Sequence, residues 1–228
     1  MNQQEFNPPG TLNAICDISH KNENVDLGKA KSAGISAIFH KATQSGGNTL
    51  FHDKQYPIRR EEANGLGLLW GAYHFGSGGD GKNQAKEFLN YTQPDNDTLL
   101  VLDFERNTTQ LRNGTTEPIM NLEEARDFVS QIKLQTGKYP GIYGGALLRE
   151  ALKNTSADPI LSKCWLWVAN YGSVAHLPNG WEHYTFWQYT DGEVGPGALP
   201  VDGIGHCDRD LFNGNKDQLL NFWQDQQV

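Results

Sequence analysis

The pattern of apolar and polar residues alternates along this chain between two spacings. Short apolar runs, typical of buried strands, are followed by longer stretches in which apolar residues recur every three or four positions, typical of amphipathic helices. Strands are predicted at residues 14–19, 35–41, 68–75, 99–105, 141–143, 165–170, 184–189 and around 207–208, and helices at residues 25–33, 56–64, 83–91, 121–137, 146–153 and 218–223.

One of these helices carries unusually complete terminal signals. Asn121 and Glu124 have the spacing of an N-terminal capping box, and Gly137 marks the end of the helix. Elsewhere, residues 46–48 (GGN) are predicted to be a loop after the second strand.

The order of these elements predicts an α/β fold in one domain. Strands alternate with helices early in the chain, whereas the late strands follow one another without helices. This pattern favours a parallel barrel whose final strands have lost their helices, although an open doubly wound sheet has a similar rhythm. No glycine-rich phosphate loop follows any strand, so nucleotide binding is not indicated. Residues 1–11 are predicted to be an N-terminal extension and residues 12–228 the barrel.

Composition and charge exclude several functional classes. The 228 residues carry a net charge of −8, which disfavours nucleic acid or an anionic membrane as a partner. Three widely spaced cysteines indicate neither a disulfide framework nor a metal site, and no cofactor motif is present. We therefore expect a monomer without cofactor or metal.

The strongest candidate for chemistry is a pair of acids that ends a buried strand. The apolar run at residues 99–102 leads into Asp103, Phe104 and Glu105. Because side chains alternate along a strand, Asp103 and Glu105 should point the same way, with Cα atoms about 6.5–7 Å apart. Two acids in a partly dry site cannot ionise independently, so one should stay protonated near neutral pH. Alone, such a triplet is common and favours two solvated acids or two members of a salt-bridge network.

The other predicted strand ends make this pair more significant. In a parallel barrel, functional residues lie at the carboxyl ends of the strands. Carboxylates, aromatic rings and amides there suit a carbohydrate, because acids cleave acetals, rings stack on sugars and amides bind hydroxyl groups. The candidate residues at the other strand ends are Asp17 with Ser19 and His20, Lys41, Tyr73 with His74, Tyr143, Asn170 with Tyr171, Gln188 with Tyr189, and Asp208.

Seven segments, in this order, resemble the glycoside hydrolase family 25 lysozymes. They are residues 16–20 (CDISH), 41–44 (KATQ), 71–75 (GAYHF), 102–105 (LDFE), 166–171 (LWVANY), 187–189 (WQY) and 207–214 (CDRDLFNG). The resemblance implies an irregular TIM-like (β/α)5(β)3 barrel and an N-acetylmuramidase that cleaves the β-1,4 bond between N-acetylmuramic acid and N-acetylglucosamine in peptidoglycan.

The resemblance also implies roles for individual residues. Glu105 corresponds to the acid of the family, Asp103 to its partner carboxylate, and Asp17 and Asp208 to two supporting acids. Tyr73, Tyr143 and Gln188 match positions that line the sugar groove of the family. From their own positions and chemistry we also assign Trp167, Asn170, Lys41 and His74 to substrate binding, although Trp167 fits the core equally well and Lys41 fits an ion pair with one of the acids equally well. In this interpretation Asp103 stabilises positive charge directly or orients the acetamido group of the substrate, and the close spacing of the two acids favours net retention.

Two departures and two alternatives qualify this interpretation. Lys21 and Asn22 follow His20 where many members of the family have an aromatic and a polar residue, and Gln44 replaces a frequent acid. A barrel enzyme of the chitinase kind, or a wall-binding protein without activity, would also use such a groove.

The first residues contain neither a basic nor an apolar region, so no Sec signal is predicted. We expect synthesis in the cytoplasm and action on the bacterial wall, as a phage endolysin or an injected toxin.

Overall fold

The computed structural model describes residues 6–46, 49–107 and 118–226. In this part of the chain the strands are β1 (Leu12–Ile18), β2 (Ala37–Gly46), β3 (Thr49–His52), β4 (Leu69–Phe75), β5 (Thr98–Asp103), β6 (Gly141–Gly144), β7 (Trp165–Ala169), β8 (Phe186–Thr190) and β9 (Asp208–Phe212). The α-helices are α1 (Leu27–Ser32), α2 (Gln55–Leu66), α3 (Gly81–Thr92), α4 (Leu122–Thr136), α5 (Ala146–Leu152) and α6 (Lys216–Asp225).

Eight of the strands close into a barrel, which confirms the predicted fold class. Going around the ring, the order is β1, β2, β4, β5, β6, β7, β8 and β9, and β9 pairs with β1 again. The pairings of β1 with both β2 and β9 exclude the open sheet. Helices follow β1, β4, β5 and β6 and the hairpin of β2 with β3.

Two details of the predicted sheet are wrong. The last strand, β9, runs antiparallel to both β8 and β1, so the barrel is not wholly parallel. The predicted loop after the second strand is also shorter than expected, because β2 continues to Gly46 and pairs with β3, an antiparallel strand that the prediction missed. Gly47 and Asn48, which belong to the same predicted loop, lie outside the described residues.

Aromatic side chains fill the barrel interior toward the amino-terminal ends of its parallel strands. The ring of Phe39 lies 4.5 Å from that of Trp167 and 5.2 Å from that of Phe186, measured between ring centroids. A side chain at Gly71 would place its Cβ 2.1 Å from Phe39, so glycine is required there for the ring to fit. Helix α6 covers the amino-terminal end of the barrel, where Trp223 donates a hydrogen bond to the Asp97 carbonyl (2.9 Å). The opposite end is left for the site.

The outer face of the barrel packs against the helices. The predicted capping box of α4 is confirmed, because the Asn121 side chain accepts from the Glu124 backbone N–H and the Glu124 side chain accepts from the Asn121 backbone N–H. Phe128 of α4 packs beside Phe88 of α3, with ring centroids 6.0 Å apart. Among the helices that the structure describes, none has the length and apolar character needed to cross a bilayer.

Candidate active site

A groove with a cavity of about 420 Å³ lies at the carboxyl ends of the barrel strands. It brings together most of the residues that the sequence predicted for the site. The predicted residues that line this cavity are Asp17, Lys41, Tyr73, Asp103, Glu105, Tyr143, Trp167, Gln188 and Asp208.

The central acids enter the groove from the end of β5. Asp103 is the last residue of the strand, and Glu105 lies two residues beyond it. The Phe104 backbone N–H donates to the Tyr143 carbonyl (2.9 Å), and this bond keeps the chain paired with β6 past the end of the strand. The Phe104 side chain is buried in the core outside the barrel, whereas both acids line the groove. The predicted alternation of these three side chains is therefore confirmed.

Glu105 has the electrostatic environment of a proton donor. Burial is the largest cause that raises the pKa of Glu105, from 4.5 to about 7, and the negative charge of Asp208 adds to it. The ammonium groups of Lys41 and Lys21 oppose this rise. At neutral pH the carboxyl group of Glu105 is thus protonated in a substantial fraction of molecules.

Asp103 is the more deeply buried acid of the pair. Burial raises its pKa well above the ordinary value, the charge of Glu105 raises it further, and the Lys41 ammonium group opposes both effects. Its Oδ1 atom is buried and accepts no hydrogen bond from the residues that the structure describes. An unpaired buried acceptor in a groove is costly unless a ligand donates to it, so this atom is suited to an N–H group of a substrate.

Asp17 belongs to a chain of hydrogen bonds across the groove. Its Oδ2 accepts from the Gln188 side-chain amide (2.8 Å), and the amide oxygen of Gln188 accepts from the Tyr143 hydroxyl (2.8 Å). Burial is the first cause that raises the pKa of Asp17, followed by the charges of Asp208 and Asp210. The chain fixes three predicted site residues from β1, β6 and β8 relative to one another.

Asp208 reaches the groove because β9 is antiparallel. It is the first residue of its strand and lies directly opposite Asp17, so the start of β9 meets the carboxyl ends of the other strands. Burial raises the pKa of Asp208 to about 6, while a hydrogen bond from the Tyr171 hydroxyl (3.2 Å) opposes the rise.

Asp210 is a buried acid of this site that the sequence prediction missed. Its Oδ1 accepts a hydrogen bond from the Trp167 indole N–H (2.7 Å), which fixes the ring at the bottom of the groove. Burial raises its pKa well above the ordinary value. The signal was present in the sequence, because Asp208 and Asp210 are spaced like Asp103 and Glu105 and therefore share a strand face.

Lys41 is the buried cation of the groove. Its ammonium group donates to the Gln44 side chain and lies 4.6 Å from the centre of the Phe75 ring. Burial lowers the pKa of Lys41, and the charges of Asp103 and Glu105 oppose this effect. The amide at residue 44, which departs from the family pattern, thus serves as a partner for this ammonium group.

The prediction that His74 contacts the substrate is wrong. His74 is fully buried on the outer face of β4, where its ring bonds to the Thr43 hydroxyl (2.7 Å) and the Gln84 side chain (3.0 Å) and stacks on Phe128. Alternation along β4 explains the error, because Tyr73 takes the position that faces into the barrel.

A second cavity of about 460 Å³ continues the groove beyond Glu105. Four residues line both cavities: Glu105, Tyr143, Tyr171 and Gln188. Asn170, predicted for the site, lies in this second cavity, and its side chain donates to the Val174 carbonyl (3.1 Å). Glu105 therefore stands between two halves of one groove, as the cleavage of a chain molecule requires.

Tyr171, Asp191 and Lys21 also line the first cavity, and of these three only Tyr171 was expected at a strand end of the site. Tyr171 is 44% exposed and stands at the junction of the two cavities. All three lie on loops, where the sequence carries no periodic signal that would indicate the direction of a side chain.

Comparisons with known proteins agree with this architecture. The sequence profile of the Glycosyl hydrolases family 25 matches residues 16–198. The chain is 31% identical to Lysozyme M1 of Streptomyces globisporus in an alignment 223 residues long, which covers 90% of this chain and 69% of the relative. The structure is similar to a bacterial lysozyme from Streptomyces coelicolor (29% identity, TM-score 0.74, covering 92% of this chain and 96% of the other). It is also similar to a muramidase from Acremonium alcalophilum (29% identity, TM-score 0.75, covering 92% and 98%).

Proposed function

The chain belongs to glycosyl hydrolase family 25 and is a glycoside hydrolase of the lysozyme type, and we propose that it cleaves the β-1,4 bond between N-acetylmuramic acid and N-acetylglucosamine with Glu105 as general acid and base. The observation that carries the proposal is the position of Glu105. This residue has a pKa of about 7 and stands between the two halves of a groove.

Glu105 acts first as the acid. A carboxyl group with a pKa near the working pH is an efficient proton donor, because it is protonated often enough and still releases its proton readily. It protonates the glycosidic oxygen while the bond to the muramic acid carbon breaks. In the second step the carboxylate removes a proton from the water molecule that attacks the same carbon.

Asp103 stabilises the positive charge that develops on the sugar. Its Oδ1 atom, which the described residues leave without a donor, accepts the N–H of the acetamido group of the substrate. This contact orients the acetamido oxygen for attack on the anomeric carbon from the face opposite the leaving group. Two displacements on the same carbon give net retention, and the close spacing of the two acids agrees with this outcome.

Asp17 and Asp208 maintain the charge of the site. Asp208 raises the pKa of Glu105. Asp17 acts through its hydrogen bond to Gln188 and through the electrostatic repulsion between its carboxylate and that of Asp208. Tyr73, Trp167 and Asn170 form the apolar and amide surface against which sugar rings lie.

We extend the proposal to the domain assignment: residues 12–228 form the catalytic barrel, residues 1–11 are an extension, and the unit acts as a monomer.

The experiment is a digestion of purified peptidoglycan and of chitin with the same preparation of the protein. Release of reducing ends that reduction with borohydride identifies as muramic acid, with none from chitin, is expected. Proton NMR of the first product should show the β anomer, because retention preserves the substrate configuration. Reducing ends from chitin alone would indicate a chitinase, and binding to walls without release of reducing ends would indicate a binding protein; either result would refute the proposal.

A further inference from the structure

The first cavity of the groove contains cations as well as acids. Lys21 and Lys41 carry the ammonium groups among the described residues that line it. Lys41 is buried and donates to the Gln44 side chain, whereas Lys21 is exposed at the rim. The reaction proposed above gives Lys21 no role. An ammonium group at the rim of a groove suits a negatively charged part of the molecule that binds there.

The backbone of Lys21 is held in a turn that follows β1. Its N–H donates to the Ser19 hydroxyl (3.2 Å), and the Ser19 backbone N–H donates to the Asn22 side chain (2.9 Å). Arg59 of α2 donates to the carbonyl groups of Ser19 (2.8 Å) and Asn22 (2.5 Å). These bonds fix the point from which the Lys21 side chain reaches the groove.

The Lys21 ammonium group acts on the side of the groove that also holds Lys41. Burial is the largest cause of the raised pKa of Glu105 and of the lowered pKa of Lys41. The positive charge of Lys21 opposes the first shift and adds to the second, so its ammonium group is near both side chains. Lys21 lines the first cavity but not the second.

The proposed reaction places the muramic acid ring in the first cavity. Its C1 atom lies beside Glu105, and the acetamido group on C2 donates to Asp103. The lactyl group is on C3, next to the acetamido group and farther from the bond that breaks. From β5, which carries Asp103, the barrel continues away from the second cavity through β4 and β2 to β1. The lactyl group therefore extends toward Lys41 and Lys21.

We propose that Lys21 binds a carboxylate carried by the lactyl arm of muramic acid, either the lactyl carboxylate itself or one of the peptide attached to it. An ammonium group has three N–H donors, so it accommodates a carboxylate beside a partner within the protein. This inference rests on the proposed function and gives it a specificity determinant, because N-acetylglucosamine and chitin have no such arm.

The test compares three soluble glycans that differ in the carboxylates of this arm. The first bears the natural peptides, the second has free lactyl carboxylates after an amidase has removed the peptides, and the third has its lactyl groups converted to methylamides. Steady-state release of reducing ends at about pH 6 gives KM and kcat separately. Carboxylates are ionised at this pH, and Glu105 is largely protonated.

The variants are Lys21→Gln, which removes the charge, and Lys21→Arg, which keeps it. Lys216→Gln is the matched control, because Lys216 is an exposed lysine of α6 at the opposite end of the barrel. Lys21 makes its turn contact through the backbone, so both substitutions preserve that hydrogen bond.

Lys21→Gln should raise KM for the free lactyl glycan about three- to tenfold, the usual effect of losing a charge-assisted contact at a partly exposed site. We expect kcat to change less than about twofold, because Lys21 holds the arm before and during the reaction alike. KM for the methylamide glycan should also change less than about twofold. Lys21→Arg and Lys216→Gln should stay near the wild type. An equal rise in KM for the peptide-bearing glycan would extend the contact to the carboxylates of the peptide.

The pH profile of the same variant is a second readout. Lys21→Gln removes a positive charge that opposes the raised pKa of Glu105, so this pKa should rise above about 7. The alkaline limb of kcat/KM for the methylamide glycan should therefore move to higher pH, whereas Lys21→Arg and Lys216→Gln should leave it in place. A limb that does not move in Lys21→Gln would contradict the position of the ammonium group and the inference with it.

The inference is also overturned if Lys21→Gln leaves KM unchanged for both carboxylate-bearing glycans, or raises it by the same factor for the methylamide glycan. Failure of the proposed function would be visible separately. Wild-type protein that cleaves none of the three glycans contradicts that function itself, whereas cleavage of all three with unchanged KM values in Lys21→Gln contradicts the role of Lys21 alone.

Discussion

At the scale of single residues, Asp208 gives the site a measurable pH dependence. Its negative charge is the second cause, after burial, of the raised pKa of Glu105. Asp208→Asn removes this charge with little change in shape, so the pKa of Glu105 should fall below about 7. An acid with a lower pKa loses its proton at lower pH, so the alkaline limb of the profile of kcat/KM, near pH 7 in the wild type, should move to lower pH.

The profile of kcat/KM between pH 5 and 9 measures this shift. Asp202→Asn is the matched control, because Asp202 is an exposed acid that does not line the groove. An alkaline limb that stays in place, or moves upward, in Asp208→Asn would contradict the link between this carboxylate and Glu105.

Prediction of the site from sequence succeeded where side-chain alternation decides the outcome. Asp103, Phe104 and Glu105 alternate as expected because a backbone hydrogen bond extends the strand geometry past its end. His74 was misplaced because this rule was not applied to it: it was grouped with Tyr73, although neighbours on a strand point to opposite faces.

The role of Asp210 depended on a contact that sequence spacing does not encode. Its bond to the Trp167 indole joins two strands that are not neighbours in the chain. Spacing indicates which residues share a face of one strand, but the distance between faces of different strands depends on how the barrel closes. The positions of Tyr171, Asp191 and Lys21 depend on loop conformation for the same reason.

At the scale of elements, the interior of the barrel depends on small residues beside large ones. Gly71→Ala would place a methyl group 2.1 Å from the Phe39 ring, which is itself packed against Trp167. Overpacking of this severity costs about 3 kcal/mol. For a protein of this length we expect the melting temperature to fall by roughly 6–12 °C.

Gly65→Ala is the matched control for this substitution. Gly65 lies in α2, and apart from the backbone of that helix no atom of the described residues lies within 4 Å of the position that an added methyl group would occupy. Alanine there should stabilise the protein by about 0.5–1 kcal/mol through helix propensity. Calorimetric melting of both variants gives the comparison. Equal melting temperatures for Gly71→Ala and the wild type would show that the barrel interior has room that the structure does not indicate.

The direction of the last strand shows what the sequence pattern could not provide. Periodicity predicted that a strand exists near Cys207, but a strand has the same pattern whether it runs parallel or antiparallel. The long connection between β8 and β9 lets the chain return in either direction. Asp208 was nevertheless assigned to the correct end of the barrel, although for the wrong reason: it was taken as the carboxyl end of a parallel strand, whereas it is the first residue of an antiparallel strand.

At the scale of the whole molecule, the two ends of the barrel have different roles: one end is packed and stabilises the fold, and the other end carries the acids of the site. Aromatic packing and α6 fill the amino-terminal end, and the carboxyl ends of the strands hold a set of acids that burial keeps partly protonated. Burial of several acids lowers the free energy of unfolding, and the aromatic packing at the amino-terminal end of the barrel offsets this loss of stability. Fold class, the order of the elements and the central acid pair followed from the sequence, whereas barrel closure and the two-sided groove required the three-dimensional arrangement.

The most direct test of the account is the rate at which Glu105→Gln releases muramic acid reducing ends from purified peptidoglycan. The amide has the shape of the carboxyl group but cannot donate and then accept the catalytic proton. We predict a loss of roughly 10²–10⁴-fold in kcat, with an unchanged fold by circular dichroism. Glu123→Gln, the same chemical change at an exposed position of α4, should retain wild-type activity. A folded Glu105→Gln protein that cleaves peptidoglycan at the wild-type rate would contradict the central role of Glu105.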